Sequence, residues 1–394
     1  MENKFDVIIV GAGPSGSMSA LTLAKEGISV LLLEKHKEIG QPVCCAEGIS
    51  YTGLCNFVEV KPHWIATYVN KAMLVSPSGE KMTVNHPKAG FILNRTIFDK
   101  ELAEEAKSFG AVLKTNLQAV GLIENKNGIF SRVKVKENDV KKSYFAKVII
   151  GADGVESLVG RWAGMDTYLG LGEIEAAAQY FLKDIEVDPE CLEFHFGTKL
   201  APGGYAWIFP KGKTCANVGL AVTPSISNGS NPFELLDNFV QKRFSKFSIA
   251  QTTMGGVPSF NRKKNMVKGN VLLVGDAGRI IDSLSGAGIS NALMSGQIAG
   301  EVVSEYFKSK NSSVSFLKKY EEKVLEKKGR ELRFYSYCRS LYLKFKDEDF
   351  DSILRFLGNY FGDKKIEGIE PISLIKAIFK SNPKLLFLLR HLIW

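Results

Sequence analysis

The chain has 394 residues, longer than one average domain and suited to two or three lobes. Its 45% hydrophobic and 24% charged residues are ordinary globular composition, which excludes disorder, collagen-like repeats and coiled coil as the main architecture. Six cysteines are too few for a disulfide scaffold and read as reduced intracellular thiols; 51 basic against 42 acidic residues leave a net charge of +9. A basic surface suits nucleic acid, anionic lipid or an anionic substrate, and charge alone does not choose.

The first apolar run, residues 7–10, follows Lys4 and Asp6 and leads into glycines. It reads as a buried strand and not as a secretory leader. No apolar run reaches the roughly 18 residues of a membrane span. The expected location is therefore cytoplasmic, with the inner face of the membrane as a peripheral site.

Residues 5–10 (FDVIIV), 11–16 (GAGPSG), 17–26 (SMSALTLAKE) and 28–33 (ISVLLL) predict strand, glycine turn, helix and strand. Residues 96–109 predict a helix with Phe98, Leu102 and Ala106 on one face. Short alternating segments over 111–150 predict antiparallel strands, and 147–152 (KVIIGA) a buried strand ending at Asp153-Gly154. Residues 175–221 carry four strand-like segments, which predict a sheet lying over the nucleotide lobe. A helix is expected over 233–247. A last buried strand, 270–275, leads to Asp276 and a helix from about Gly288 to Phe307. From about 312 onward the chain reads as helical and Lys-rich.

Gly11, Gly13 and Gly16 match G-x-G-x-x-G between a strand and a helix. Glycine permits the tight turn, the close approach of backbone to a pyrophosphate and helix–strand packing. The helix start, with Ser15 in its first turn, offers N–H groups and a partial positive charge to phosphates. Glu34 ends the second strand, where a carboxylate accepts both ribose hydroxyls and repels a 2′-phosphate. This site suits FAD or NAD over NADP.

Two distant segments choose between them: 150–161 (IGADGVESLVGR) and 271–289 (VLLVGDAGRIIDSLSGAGI). They resemble the flavoprotein group that contains the aromatic hydroxylases and geranylgeranyl reductases, which implies FAD. By that resemblance Asp276 binds the ribityl chain, and Gly288 and Ile289 offer backbone N–H groups. Three more segments narrow it: GQPVCCAEG (40–48), NRTIFDKEL (94–102) and PGGYAWIFP (202–210). These resemble the geranylgeranyl reductase family, in particular the archaeal type that acts on digeranylgeranyl glycerophospholipids. The family pattern G-x-P-V-x-C-G-E-G puts its cysteine at Cys45; Ala46 stands where glycine is usual, and Cys44 is extra. The pattern P-x-x-Y-x-W-x-F-P falls on Pro202, Tyr205, Trp207, Phe209 and Pro210. The resemblance implies that Arg95 contacts FAD, that Cys45, Ala46 and Gly48 line the flavin, and that Ala119 meets the adenine end through its backbone. Where many relatives carry Asp-Pro and three glycines, this chain has Asp282-Ser283 and Gly286-Ala287-Gly288.

The implied fold is α/β (α+β). A Rossmann-like FAD-binding domain (1–65, 93–165 and 255–307) interleaves with an antiparallel-sheet substrate and catalytic domain (66–92 and 166–254). A C-terminal helical region (308–394) follows. The implied activity is saturation of isolated C=C bonds in geranylgeranyl chains. Such an alkene has no carbonyl to polarise, so a proton must arrive with the hydride or ahead of it. Reduced flavin supplies the hydride. Cys45 is the candidate for tuning the flavin or relaying the proton; a small buried apolar role is its plainer alternative. Tyr205 and Trp207 alternate on one strand face and are candidates for stabilising positive charge. Packing between sheet and lobe is their plainer alternative.

The remaining cysteines and the five histidines lack metal-ligand spacing, so no metal is assigned, and no nucleic-acid motif appears. No second G-x-G-x-x-G follows a strand, so electrons are expected from an external donor, a ferredoxin or a reduced nicotinamide. The apolar, cation-bearing stretch 371–394 reads either as an interfacial membrane segment or as a packed terminal helix. Rival readings are an aromatic hydroxylase or halogenase using O₂, and a non-catalytic flavin- or lipid-binding protein. The halogenase strand W-x-W-x-I-P is Tyr-x-Trp-x-Phe-Pro here, which favours the reductase.

Overall fold

The computed structural model describes residues 3–126, 128–137, 140–261, 265–309 and 313–361. The apolar stretch 371–394 lies outside them. The chain begins with β1 (Lys4–Val10), α1 (Pro14–Lys25), β2 (Val30–Leu33), β3 (Gly48–Ser50), α2 (Tyr51–Cys55), β4 (Ile65–Val75) and β5 (Lys81–Leu93). Next come α3 (Arg95–Ser108), β6 (Val112–Lys114), β7 (Gln118–Glu124), β8 (Phe130–Glu137), β9 (Val140–Gly151), α4 (Leu158–Trp162), β10 (Ile174–Lys183), β11 (Cys191–His195), β12 (Ala206–Pro210) and β13 (Cys215–Val222). The last elements are α5 (Pro232–Arg243), β14 (Ser248–Pro258), β15 (Val267–Lys268), β16 (Val271–Leu273), α6 (Ile289–Lys308), α7 (Lys319–Tyr342) and α8 (Asp347–Phe361).

Continuous apolar runs make the first sheet. β16, β9, β1, β2 and β6 lie side by side and parallel, with Ile9 opposite both Leu32 and Ile150. Strands buried on both faces need helices above and below them, and α1, α3 and α6 supply part of that cover. The first half of β9 turns to a different use and pairs antiparallel with β8, which pairs with β7. Because the four central strands run the same way, their C-terminal ends open at one edge. Gly11, Glu34, Ala152-Asp153 and Gly275-Asp276 all follow those ends.

The second eight-stranded sheet has the order β14-β10-β13-β12-β11-β4-β5-β3 and is antiparallel except where β11 meets β4. The hairpin of β4 and β5 has no clean alternation, because most of its residues are half-buried or exposed. Its strand character is therefore missing from the apolar periodicity of 65–93. β3, directly after the Cys45 loop, pairs with β5 in this sheet, with Ile49 opposite Phe91.

Two contacts fasten α7 to both sheets. The Tyr320 hydroxyl donates to the Leu273 carbonyl at 2.8 Å. Arg339, almost fully buried, pairs with Glu175 and donates to the Thr223 hydroxyl at 2.9 Å.

α6 crosses α1 on glycine. A Cβ at Gly296 would lie 2.3 Å from the Ser15 carbonyl oxygen, and one at Gly300 would lie 2.5 Å from the Thr22 Cβ. The close crossing brings the N-terminal ends of both helices to the same sheet edge. Gly296→Ala is expected to push the helices apart and lower unfolding free energy by about 1–3 kcal/mol. Gly358→Ala, at an exposed α8 site with nothing near the new methyl, should instead raise it by roughly 0.5–1 kcal/mol. Urea midpoints at constant m-value check both signs.

Candidate active site

Close packing enforces glycine at two positions of the nucleotide cradle, Gly11 and Gly16. Gly11 adopts a left-handed φ of 105°, and a Cβ there would sit 2.3 Å from the Ala152 carbonyl oxygen. A Cβ at Gly16 would meet the Gly11 carbonyl oxygen at 1.9 Å, whereas Gly13 faces open space. Helix α1 starts at Pro14 and has no side-chain cap, so its first N–H groups remain available for an anion. Ser15 is buried in the first turn, and its Oγ would lie 2.8 Å from a Cβ built at Gly275. Glu34 is 9% exposed; its Oε2 accepts the Ala12 N–H at 3.0 Å and its Oε1 the His36 N–H at 2.9 Å. Those bonds aim the carboxylate along the cradle.

Asp276 and Gly288 face each other at the start of α6. A Cβ at Gly288 would stand 3.3 Å from Asp276 Oδ1, and α6, which begins at Ile289, also lacks a side-chain cap. Burial pushes the Asp276 carboxyl above its ordinary pKa, and the Arg95 guanidinium opposes this. Asp153 is pushed up to about 6 by burial, against the N–H bonds it accepts from Val159 and its neighbours. Its Oδ1 is buried and has no hydrogen-bond partner among the described residues. Two uncapped helix starts, an open glycine loop and an aimed carboxylate fit a dinucleotide. Ala119 lies apart, on β7 within an apolar cluster; it is linked to the cradle by the Leu117 N–H donating to the Glu34 carbonyl at 2.9 Å.

The Cys45 loop joins this cradle to the second sheet. Cys45 Sγ accepts the Glu47 N–H at 3.2 Å and interacts with the Arg95 guanidinium. Arg95 itself is braced by Asp99 through bonds of 3.1 and 2.6 Å. Ala46 packs in one apolar cluster with Tyr205, Trp207 and Phe209, and a Cβ at Gly48 would touch the Phe209 ring at 2.9 Å. The three aromatic residues share one face of the segment that β12 continues. The Trp207 ring occupies the space a Cβ at Gly219 would need, and its indole N–H donates to Gln179 at 3.1 Å. Tyr205 donates its hydroxyl to the Ser285 carbonyl at 2.5 Å. Burial, Asp282 and Cys45 raise its pKa well above the usual range, so the phenol stays neutral. The extra Cys44 points toward β14 at Gly255.

Four residues to which the motifs assigned no role hold this junction; Glu47 stands within the quoted GQPVCCAEG segment. Gln179 donates to the Cys45 carbonyl at 3.1 Å while accepting from Trp207. Asn217 donates to the Ala46 carbonyl at 3.2 Å and to Glu47 at 2.7 Å. Lys211 pairs with Glu47 at 2.5 Å, and the Arg95 N–H donates to Glu47 at 2.9 Å. Glu47 is 3% exposed and holds a left-handed φ of 70°, a costly conformation for a residue with a side chain. A lone polar residue within an apolar strand, Gln179 in EAAAQYFL and Asn217 in ANVGLAV, is the available sequence signal.

Residues 4–54 match the FAD binding domain model, and residues 173–257 match the geranylgeranyl reductase catalytic domain model. A digeranylgeranylglycerophospholipid reductase of Methanocella arvoryzae is 40% identical, with 98% of each chain covered. The chain belongs to the geranylgeranyl reductase family. A second family member, the digeranylgeranylglycerophospholipid reductase of Methanosarcina acetivorans, is also 40% identical, covering 100% of this chain and 97% of that one. The crystal structure of a geranylgeranyl bacteriochlorophyll reductase-like protein from Thermoplasma acidophilum superposes with a TM-score of 0.92 at 32% identity, over 99% of both chains. A flavin-dependent brominase shares the fold alone, with a TM-score of 0.70 at 18% identity over 97% of this chain and 100% of that one. FAD is the cofactor of this reductase-family chain. Among the described residues, no group of three or more His, Cys, Asp or Glu is placed to hold a metal, and no helix is long and apolar enough to cross a membrane.

Glu47→Gln removes the carboxylate from Lys211 and is expected to cost about 3–5 kcal/mol of unfolding free energy. Adding Lys211→Met should restore part of that loss, since the orphaned ammonium goes with it. Urea unfolding of both variants decides; a double variant no more stable than the single one would refute the coupling.

Proposed function

We propose that this chain is an FAD-dependent reductase that saturates isolated C=C bonds of geranylgeranyl chains carried on a glycerophospholipid. The observation that carries the reading is the aromatic face of Tyr205, Trp207 and Phe209, joined by Gln179 to the Cys45 loop beside the cofactor cradle. That face offers an isoprenoid chain apolar contact.

FAD, once bound and reduced, supplies the hydride. The chain's own residues do the rest. Gly11, Gly13, Ser15, Gly16 and the start of α1 receive the pyrophosphate, Glu34 the ribose hydroxyls, and Asp276 the ribityl chain. Ala46, Gly48, Arg95, Gly288 and Ile289 border the flavin, and Ala119 borders the adenine. Trp207 cannot swing away, because its N–H is bound and Gly219 backs its ring. A ring face stabilises positive charge developing on the more substituted alkene carbon by roughly 0.5–2 kcal/mol. Tyr205 adds its face, while its hydroxyl pins the loop at Ser285. Cys45 is the residue that tunes the flavin or relays the proton; its sulfur is oriented by the Glu47 N–H, and the adjoining Ala46 packs on this face.

Electrons come from an external donor, either an acidic ferredoxin that matches the net charge of +9 or a reduced nicotinamide. Contact with the bilayer is peripheral. Oxygen-dependent halogenation is disfavoured by Tyr205 and Phe209, which stand where the halogenase strand has Trp and Ile.

The test is anaerobic. The flavin is reduced with dithionite, a geranylgeranyl glycerophospholipid is added, and flavin absorbance and product mass are followed. Reoxidation with the mass of one H₂ gained per bond is expected. A flavin that stays reduced until O₂ enters would overturn the reading. In the same assay Cys45→Ala should retain bound FAD and lose at least about tenfold in rate, or 1.4 kcal/mol. Full activity would remove Cys45 from the chemistry.

A further inference from the structure

A cavity of about 480 Å³ opens where the turns after β11 and β13 meet the junction of α7 and α8. Its wall includes Thr198, Lys199, Ser227, Ser230, Tyr342 and Phe350. The Lys199 ammonium is exposed and has no carboxylate partner among the described residues. The acid beside this wall, Asp347, is already engaged: its Oδ1 accepts the Thr198 N–H at 2.7 Å and the Thr198 hydroxyl at 2.9 Å. Ser227 and Ser230 donate to the carbonyls of Pro224 and Ser227 and keep oxygen lone pairs free to accept. One cation, several hydroxyls and turn backbone make a mouth suited to a phosphorylated polyol.

The cavity wall is linked to the aromatic face through ring contacts. Phe350 stacks on Phe196 with ring centroids 5.7 Å apart; Phe196 is 6.2 Å from Tyr205, and Tyr205 is 6.0 Å from Trp207. Tyr342 donates to the carbonyl of Gly204, the residue before Tyr205, which ties the cavity wall to the aromatic segment. A polar mouth backed by a row of rings has the polarity of an amphiphile.

We propose that this cavity seats the glycerol-phosphate head of the prenyl lipid, with Lys199 facing the phosphate. The tail lies along Phe350, Phe196 and Tyr205 toward Trp207. The inference rests on the prenyl-reductase reading and adds where the head binds.

The holoenzyme, Lys199→Glu and Lys199→Arg are compared with two probes, a digeranylgeranyl glycerophosphate and geranylgeraniol, which has no phosphorylated head. Equilibrium binding and reduction are measured separately. Charge reversal is expected to lower the preference for the phospholipid over the alcohol by about tenfold in both Kd and kcat/KM. Lys199→Arg should restore most of that preference. An unchanged preference in Lys199→Glu, or an equal weakening of both probes, would overturn the head site. If neither probe is reduced while phospholipid binding still depends on Lys199, the head site stands and the reductase reading falls.

Discussion

The buried Glu47 carboxylate is the point on which the active-site architecture depends. It takes an ammonium from Lys211, an amide from Asn217 and the first backbone N–H of α3. Those partners come from the second sheet and from the first lobe, so one charge fixes how the two halves meet. A carboxylate this deep is stable only with its donors in place. The same residue's N–H orients the Cys45 sulfur. The position of that sulfur is thereby coupled to the seam between lobes.

Two kinds of surface meet at that seam. On the nucleotide side are glycine loops, two helix starts without side-chain caps, and the buried carboxylates of Glu34 and Asp276. On the other side, the β12 face is aromatic, and its polar atoms are turned away to Gln179 and Ser285. A hydride acceptor with no polar handle needs such a wall, since its only recognisable features are shape and an electron-rich double bond. The fold is shared with flavin-dependent halogenases, so the fold alone does not choose the chemistry.

Much of the first sheet was legible because its signals are local. Strands buried on both faces read as continuous apolar runs, and the glycine turn between β1 and α1 is set by sterics within a few residues. Phe98, Leu102 and Ala106 fall on the buried side of α3 as their spacing implies. The β4–β5 hairpin was not legible, because half-buried strands carry no strong alternation. β3 was invisible too, being three residues long and defined only by pairing with β5.

The sequence by itself determined the glycine turn of the cofactor cradle, which is a matter of local spacing, while resemblance to a known family singled out the cysteine loop and the aromatic strand. Only the tertiary structure decided how they are joined. Lys211 and Asn217 lie 164 and 170 residues from Glu47, and Gln179 lies 134 from Cys45. No local rule links such partners; they become neighbours only when two sheets pack and a buried charge has to be satisfied.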